Sequence, residues 1–471
     1  MKLFAQIAHN TIIQIIGKII STILGLAALA IMARYLKQTG FGQYITIITF
    51  LSFFGIMADF GLTLVTSQMV SQPQADQAKL LNNLFSLRLV SACLLLLFAP
   101  LAIFFFPYEP IIKYGAAIAS LSFFFTALNQ ILVGWFQNNL TMAIVAAADV
   151  AGKIALLAGI ILTARFNLGL LSIMAATFIS GLISFIIHYW FARRRIKIGW
   201  QINFEVWRAI IKKSWPLGVT IFFNLIYLRA DALILSLLKS QGEVGLYGAA
   251  YRIIDVLTAL PFMFAGLILP ILTRIWAERD AARFNLVLQK SLDAMFILAV
   301  PLIIGAQITA KPLMRLIAGE HFILAGDILK ILILAVGFIF MSCLLTHAAI
   351  AMDKQKKLIP AYIFTALTAL AGYLILIPLY SYYGAAWVTV YSEIAISLFS
   401  LYAVIKYGRF RLKINILLKS LAASLIMVLI VYWLIDKYSL FFIIPLAAIA
   451  YLACLYAFKG ISKKDLTGLL N

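Results

Sequence analysis

Asn10–Ala33, NTIIQIIGKIISTILGLAALAIMA, holds a single charged residue, Lys18, in a run long enough as a helix to cross a hydrocarbon core about 30 Å thick. Runs of this kind recur along the whole chain with short polar breaks between them. The spacing predicts helices near 10–34, 44–66, 84–106, 112–136, 141–164 and 168–192, then 214–238, 248–274, 291–311, 328–352, 358–380 and 384–405, with two more near 414–435 and 440–458. Of the 471 residues, 64% are hydrophobic and 12% charged, against roughly 25% charged in a soluble domain. An all-α integral membrane protein with about fourteen crossings is expected. The opening run is too long for the apolar core of a signal peptide and lacks a small-residue cleavage site, so it should remain as the first helix.

The formal charge of +21 raises the question of nucleic acid, and the placement of the cations answers it. If the N-terminus is cytoplasmic, 25 Lys and Arg fall in inner segments and helix ends and 9 in outer ones, Arg88 and Lys197 among the inner set. That bias is the positive-inside pattern, and it sets orientation with both termini cytoplasmic. No nucleic-acid partner is expected. Outer and inner loops are too short to fold into a catalytic or nucleotide-binding domain, and there is no G-x-x-x-x-G-K-[ST] phosphate loop. The chain does not read as an enzyme. Cys93, Cys343 and Cys454 lie in separate apolar segments without paired spacing, so neither disulfides nor a metal site is expected.

The basic loop 193–213 separates a lobe at 1–192 from one at 214–406, with 407–471 supplying two further helices and a basic tail. Its alternation of charge with Ile and Trp suits a segment lying in the membrane interface near anionic lipid. A repeat supports the division: Leu36-Lys37-Gln38-Thr39-Gly40-Phe41-Gly42-Gln43-Tyr44 after the first helix returns, with one insertion, as Leu238-Lys239-Ser240-Gln241-Gly242-Glu243-Val244-Gly245-Leu246-Tyr247 after the seventh. Six spans per copy make the copies parallel repeats, the arrangement of transporters that handle substrate near the midplane between halves.

Ionisable groups in membrane helices are costly and count as functional candidates. The cations Lys18, Lys153, Arg229 and Arg252 are the substrate-binding candidates. The acids Asp59, Asp149, Asp231, Asp255 and Glu393 are candidates for a coupling ion, H+ or Na+, with no other cofactor expected. Asp149 with Lys153 (i, i+4) and Arg252 with Asp255 (i, i+3) can pair on their own helices. Arg229 and Asp231 do not face one another, and Asp59 is the nearest acid expected for Lys18. Pro261 and Pro270 should kink the eighth helix and are gating candidates. Gly17, Ser21 and Gly25 form a small-residue stripe for close packing. Asn129 and Gln130 read as interhelical glue, and His188, His321 and His347 carry no ligand spacing.

Asn10, Gly17-Lys18, Ala33-Arg34-Tyr35-Leu36, Gly40-Phe41-Gly42-Gln43-Tyr44 and Asp59-Phe60-Gly61-Leu62, with Trp215-Pro216-Leu217, Asp231 and Gly245-Leu246-Tyr247-Gly248-Ala249-Ala250-Tyr251-Arg252, resemble the Wzx-type polysaccharide-transporter family of the MOP superfamily. The resemblance implies a MATE-like fold of two six-helix lobes plus two C-terminal helices in a bacterial inner membrane. It implies a flippase that moves undecaprenyl-pyrophosphate-linked oligosaccharide, an O-antigen, capsule or exopolysaccharide unit, to the outer leaflet by alternating access. Implied partners are the lipid-linked glycan, membrane lipids, a polysaccharide polymerase and a chain-length regulator. The rival readings are a MATE-type multidrug or cation extruder, a lipid II flippase and, more remotely, a polytopic glycosyltransferase or polymerase.

Overall fold

The computed structural model describes residues 2–63, 69, 77–139, 141–196 and 199–461; Lys197, Lys463 and Lys464 lie outside them. Among the described residues the regular structure is helical, with no strand.

The first helix, Lys2–Asp59, is far too long for one crossing, because 58 residues at 1.5 Å each extend about 87 Å. It breaks at Lys37, which takes φ 56° and ψ −166°, and so forms α1 (2–36) and α2 (38–59). Next come α3 (Gln77–Ala102), α4 (Pro110–Asn138), α5 (Met142–Phe166), α6 (Gly169–Arg193), α7 (Phe204–Leu238), α8 (Gln241–Ala277), α9 (Ala281–Ala318) and α10 (Ala325–Ala351). Ile359–Gly408 is broken at Ser381 (φ 52°, ψ −135°) into α11 (359–380) and α12 (382–408). The last two are α13 (Asn415–Leu434) and α14 (Leu440–Ala457). Eleven helical runs are long and apolar enough to span, α7 becomes a twelfth when its two bent pieces are joined, and the two broken runs each count double. The described residues therefore contain the expected fourteen.

Most differences from the expected boundaries are extensions at polar ends. Helix α7 begins at Phe204 instead of 214 because Asn203 caps it, its side chain accepting from the N–H groups of Glu205 and Val206. Helix α8 begins at Gln241, and its Pro261 and Pro270 sit inside a continuous helical run.

The chain forms two compact units, Met1–Gly245 and Leu246–Asn471. In the first, the α1–α2 run packs on α4 and α5, α6 packs on α4 and α5, and α7 lies against the α1–α2 run and α3. A core of Leu81, Leu84, Ile131, Leu132 and Phe136 closes the α3–α4 end, with Ile210 of α7 packed into it. In the second unit α10 is the most buried helix, flanked by α9 and by the α11–α12 run. Helices α13 and α14 share a core of Ala423, Met427, Val431, Ile443 and Ala447, and the Tyr451 hydroxyl donates to the Ile297 carbonyl at 2.8 Å, fastening α14 to α9.

The basic segment between α6 and α7 is not a free interfacial strand. Backbone N–H groups of Gly199, Gln201 and Asn203 donate to Asn82 Oδ1, Ser86 Oγ and Asn83 Oδ1 of α3 at 3.0, 3.0 and 2.8 Å. Alternate residues of an extended segment point one way, and here they are stitched to one face of α3. Trp200 and Phe204 stay exposed, as do Arg193, Arg194 and Arg195 before them.

Candidate functional site

The two copies of the repeat meet within the first unit. A Cβ on Gly42 would stand 1.7 Å from the Gln241 carbonyl oxygen, and one on Gly245 would stand 2.1 Å from that of Gln38. Each glycine thus presses on the backbone of the other copy at the equivalent place, an approach that any side chain would prevent. Thr46 Oγ1 donates to Gln241 Oε1 at 2.8 Å across the same seam. The motif recurs because backbone must touch backbone there.

Other residues of the shared pattern also hold the scaffold. Asn10 Oδ1 accepts from Met142 N–H at 3.1 Å, at the start of α5, and the Tyr35 hydroxyl accepts from Gly169 N–H at 2.8 Å, at the start of α6. Both satisfy donors that a helix leaves open at its first turn. Gly17 packs on Ala146, where a Cβ would come within 2.4 Å, but Gly25 has open space beside it. Of the expected stripe, Gly17 and Ser21 are packed and Gly25 is not.

Asp59 is not the partner of Lys18. Its Oδ1 lies 3.1 Å from Nη1 of Arg88, a side chain 1% exposed in the body of α3. Arg88 also donates from Nε to the Ala127 carbonyl at 3.0 Å and from Nη2 to Gln130 Oε1. Asp59 accepts from the N–H groups of Gly61 and Thr63 and from the Thr63 hydroxyl. Arg88 is therefore a buried cation in the body of a spanning helix and not the inner helix-end residue expected from its position in the sequence. Its sign was legible, but its depth was not, because α3 starts at Gln77 and carries Arg88 several turns inward.

Lys18 instead shares a cluster with Asp149. That carboxylate lies within electrostatic reach of Lys18 on α1, Lys153 on its own helix and His188 on α6. The i, i+4 neighbourhood of Asp149 and Lys153 is thus present, but two further basic groups join it. Lys18 and Asp149 are exposed on the unit surface and Lys153 is half-buried. His188 is 1% exposed and was set aside on spacing alone. Asn129 serves as glue, donating to Ser184 Oγ at 3.4 Å.

On α7 the chain bends by 49° between Ile221–Tyr227 and Arg229–Leu238. Asp231 Oδ1 accepts from Ala232 N–H at 2.6 Å and so competes for a donor of the helical ladder, a recognised cause of helix bending. Asp231 is buried and Arg229 half-buried, and each has further interactions. Near Asp59, an apolar cavity of about 450 Å³ is walled by Ile56, Phe60, Leu95, Gly218, Phe222 and Phe223.

In the second unit Arg252 Nη1 and Asp255 Oδ2 pair at 3.4 Å, as the i, i+3 spacing predicts, with side chains 30% and 26% exposed. Glu393 is buried in α12, within electrostatic reach of Cys343 on α10 and Tyr362 on α11. Thr346 Oγ1 lies 3.4 Å from the Tyr362 hydroxyl and 3.2 Å from Ser400 Oγ, so this acid sits in a hydroxyl-rich pocket inside one bundle. His347 Nδ1 is 2.7 Å from the Cys343 carbonyl. Cys93, Cys343 and Cys454 are free thiols. Among the described residues no group of three or more His, Cys, Asp or Glu could hold a metal ion.

Fourteen helices, a repeated turn and charges within the spanning helices define an all-α, multi-pass membrane protein whose fold is that of solved MurJ and MATE structures. The family model described as "Polysaccharide biosynthesis protein" matches residues 7–276, more than half of the chain, and the chain belongs to that family. It is 23% identical over 373 residues to a Shigella flexneri protein described as "Putative O-antigen transporter", covering 74% of this chain and 86% of that one. Among solved structures it is similar to the lipid II flippase MurJ in an inward closed conformation, with TM-score 0.78 and 20% identity over 97% of this chain and 100% of that chain. An inward-facing multidrug MATE transporter matches with TM-score 0.67 and 15% identity, over 83% of this chain and 94% of that one.

Proposed function

We propose that the protein flips an undecaprenyl-pyrophosphate-linked oligosaccharide, an O-antigen, capsule or exopolysaccharide unit, from the cytoplasmic to the periplasmic leaflet of a bacterial inner membrane. It works by alternating access of lobes 1–192 and 214–406, coupled to H+ or Na+, with both termini cytoplasmic, and it performs no covalent chemistry.

The carrying observation is membership of a polysaccharide biosynthesis family by a chain whose intramembrane helices bear several cations. A pyrophosphate carries concentrated negative charge and needs such groups, whereas a cation extruder needs acids and aromatics. Lys18, Arg229 and Arg252 are assigned to the pyrophosphate, with Lys153 supporting Lys18. The partial exposure of Arg252 supports this role, since a guanidinium that is 30% exposed can be reached by an anion that competes with Asp255. The apolar cavity at Phe60 and Phe222 has the chemistry to take part of a polyprenyl chain. Asp59, Asp149, Asp231, Asp255 and Glu393 are the coupling-ion candidates; Asp59 pairs with Arg88, Asp255 with Arg252, and Asp149 lies among three basic neighbours. Pro261 and Pro270 remain gating candidates, through local softening of α8 without a break. A polysaccharide polymerase and a chain-length regulator are the expected protein partners.

Likeness to a lipid II flippase across nearly the whole chain, α13 and α14 included, favours a lipid-linked substrate over a drug. The test is reconstitution in liposomes with a polyprenyl-pyrophosphate oligosaccharide bearing a fluorophore on the glycan. Transfer should proceed with wild type and stop with Arg252→Gln. Equal transfer by both proteins removes the assignment, and cation efflux without lipid transfer removes the function.

A further inference from the structure

His188 belongs to no part of the assignment above, yet its burial needs an explanation. Its Nδ1 is 2.8 Å from the Ser184 carbonyl oxygen. A carbonyl only accepts, so Nδ1 carries the hydrogen and the neutral ring is left with a bare lone pair on Nε2. That Nε2 is buried without a hydrogen-bond partner, and so is Asn129 Oδ1, whose amide faces the same Ser184. Buried acceptors are almost always satisfied in folded proteins. His188 and Asn129 both touch Ser184, and each keeps one buried acceptor that lacks a donor.

The packing of α5 on α6 sets what lies opposite. Ser180 Oγ donates to the Gly152 carbonyl at 2.7 Å. A Cβ on Gly152 would stand 3.4 Å from Ser184 Cβ, and one on Gly159 would stand 2.6 Å from Ala176 Cβ. The helices are therefore antiparallel, with Gly152 level with Ser184. One turn back on α5 is Asp149, and one turn onward on α6 is His188, which brings the two side chains to the same height. Their electrostatic contact agrees with that register. The other charged groups facing the pair are Lys18 from α1 and Lys153 from α5, while α4 contributes only Asn129 and the Phe136 ring, 6.0 Å from the imidazole. Tyr189 and Arg193 follow further along α6.

We propose that His188 and Asp149 form a proton-binding site in the α5–α6 seam. The proton goes onto His188 Nε2, the ring becomes an imidazolium, and Asp149 supplies the countercharge it otherwise lends to Lys18 and Lys153. Proton arrival thereby loosens the hold of Asp149 on Lys18, and proton loss restores it. Resting on the transport reading above, this ties proton occupancy to the availability of a substrate-binding cation.

The experiment uses the full chain in lipid nanodiscs, with isotope-labelled histidine rings followed by NMR between about pH 5 and 9; the missing signal of His188→Gln identifies the resonance. Asp149→Asn should lower the His188 midpoint by about one pH unit, a tenfold loss of proton affinity, and Lys153→Gln should raise it. A merely structural histidine would show no opposed shifts, and identical midpoints in the two variants, or no titration at all, overturn the site. The coupling is read separately in liposomes. An imposed pH gradient should change the flipping rate of wild type and leave that of His188→Gln and of Asp149→Asn unchanged. Asp149 lies on the unit surface, so its variant is a check should His188→Gln misfold. Opposed NMR shifts without any lipid transfer by wild type support the proton site and refute the transport reading; transfer by wild type with a full gradient response in both variants refutes the coupling.

Discussion

Asp59→Ala would strand the Arg88 guanidinium, 1% exposed and facing a carboxylate at 3.1 Å, without its countercharge. Its bonds to the Ala127 carbonyl and Gln130 would remain, but neither carries a charge. Breaking a buried pair from one side costs roughly 3–5 kcal/mol, a large part of the roughly 5–15 kcal/mol that holds a typical domain together. For a unit of 245 residues, at roughly 2–4 °C per kcal/mol, the loss is roughly 6–20 °C in Tm. The assay is thermal unfolding of the purified protein in detergent, followed by tryptophan fluorescence. Arg88→Met should cost less, because Asp59 is 15% exposed and keeps the N–H groups of Gly61 and Thr63 as donors. In Asp59→Ala/Arg88→Met the stranded charge is gone, so the double variant should be more stable than Asp59→Ala alone. A Tm change under about 2 °C for Asp59→Ala, or strict additivity in the double variant, refutes the argument that the pair is a buried lock.

The remaining expectations concern other links in the account. Gly42→Val places a side chain where the Gln241 carbonyl stands 1.7 Å from a Cβ; backbone cannot yield, so disulfide trapping between cysteines at positions 38 and 241 should drop at least several-fold relative to the same pair on a wild-type background. Asn83→Ala removes the acceptor for Asn203 N–H at roughly 1–3 kcal/mol, and limited proteolysis between α6 and α7 should quicken. Arg252→Gln removes one partner of a half-buried pair and keeps a polar side chain there, so membrane abundance should stay at the wild-type level while lipid transfer is lost. Glu393→Gln keeps shape in a buried pocket and should leave folding intact but abolish the response of transport to an ion gradient; an unchanged response removes Glu393 from the coupling candidates.

The architecture was legible because bilayer thickness imposes a length on every span, and the repeated Leu-Lys-x-x-Gly turn marks the same point in both copies. Two things were not legible. Sequence spacing reports neighbours on one helix, so Arg252 with Asp255 emerged directly, whereas Asp59 with Arg88 and Lys18 with Asp149 join different helices and depend on how those helices pack. Hydropathy also places helix ends poorly where polar residues continue the helix, which is why Arg88 reads as a helix-end cation when α3 is started at 84 and why residues 204–213 read as loop. His188 had no motif to announce it; a lone histidine in an apolar run gains meaning only from the acid that packing brings opposite.

The central claim is that this protein moves a lipid-linked glycan across a membrane. The most direct measurement is the leaflet position of that glycan in spheroplasts of a strain lacking its own flippase, probed with a membrane-impermeant lectin. The protein should expose the glycan to the lectin, and Lys18→Gln at equal abundance should leave it enclosed. Glycan that stays enclosed with the wild-type protein present, in cells shown to make it, would contradict the account.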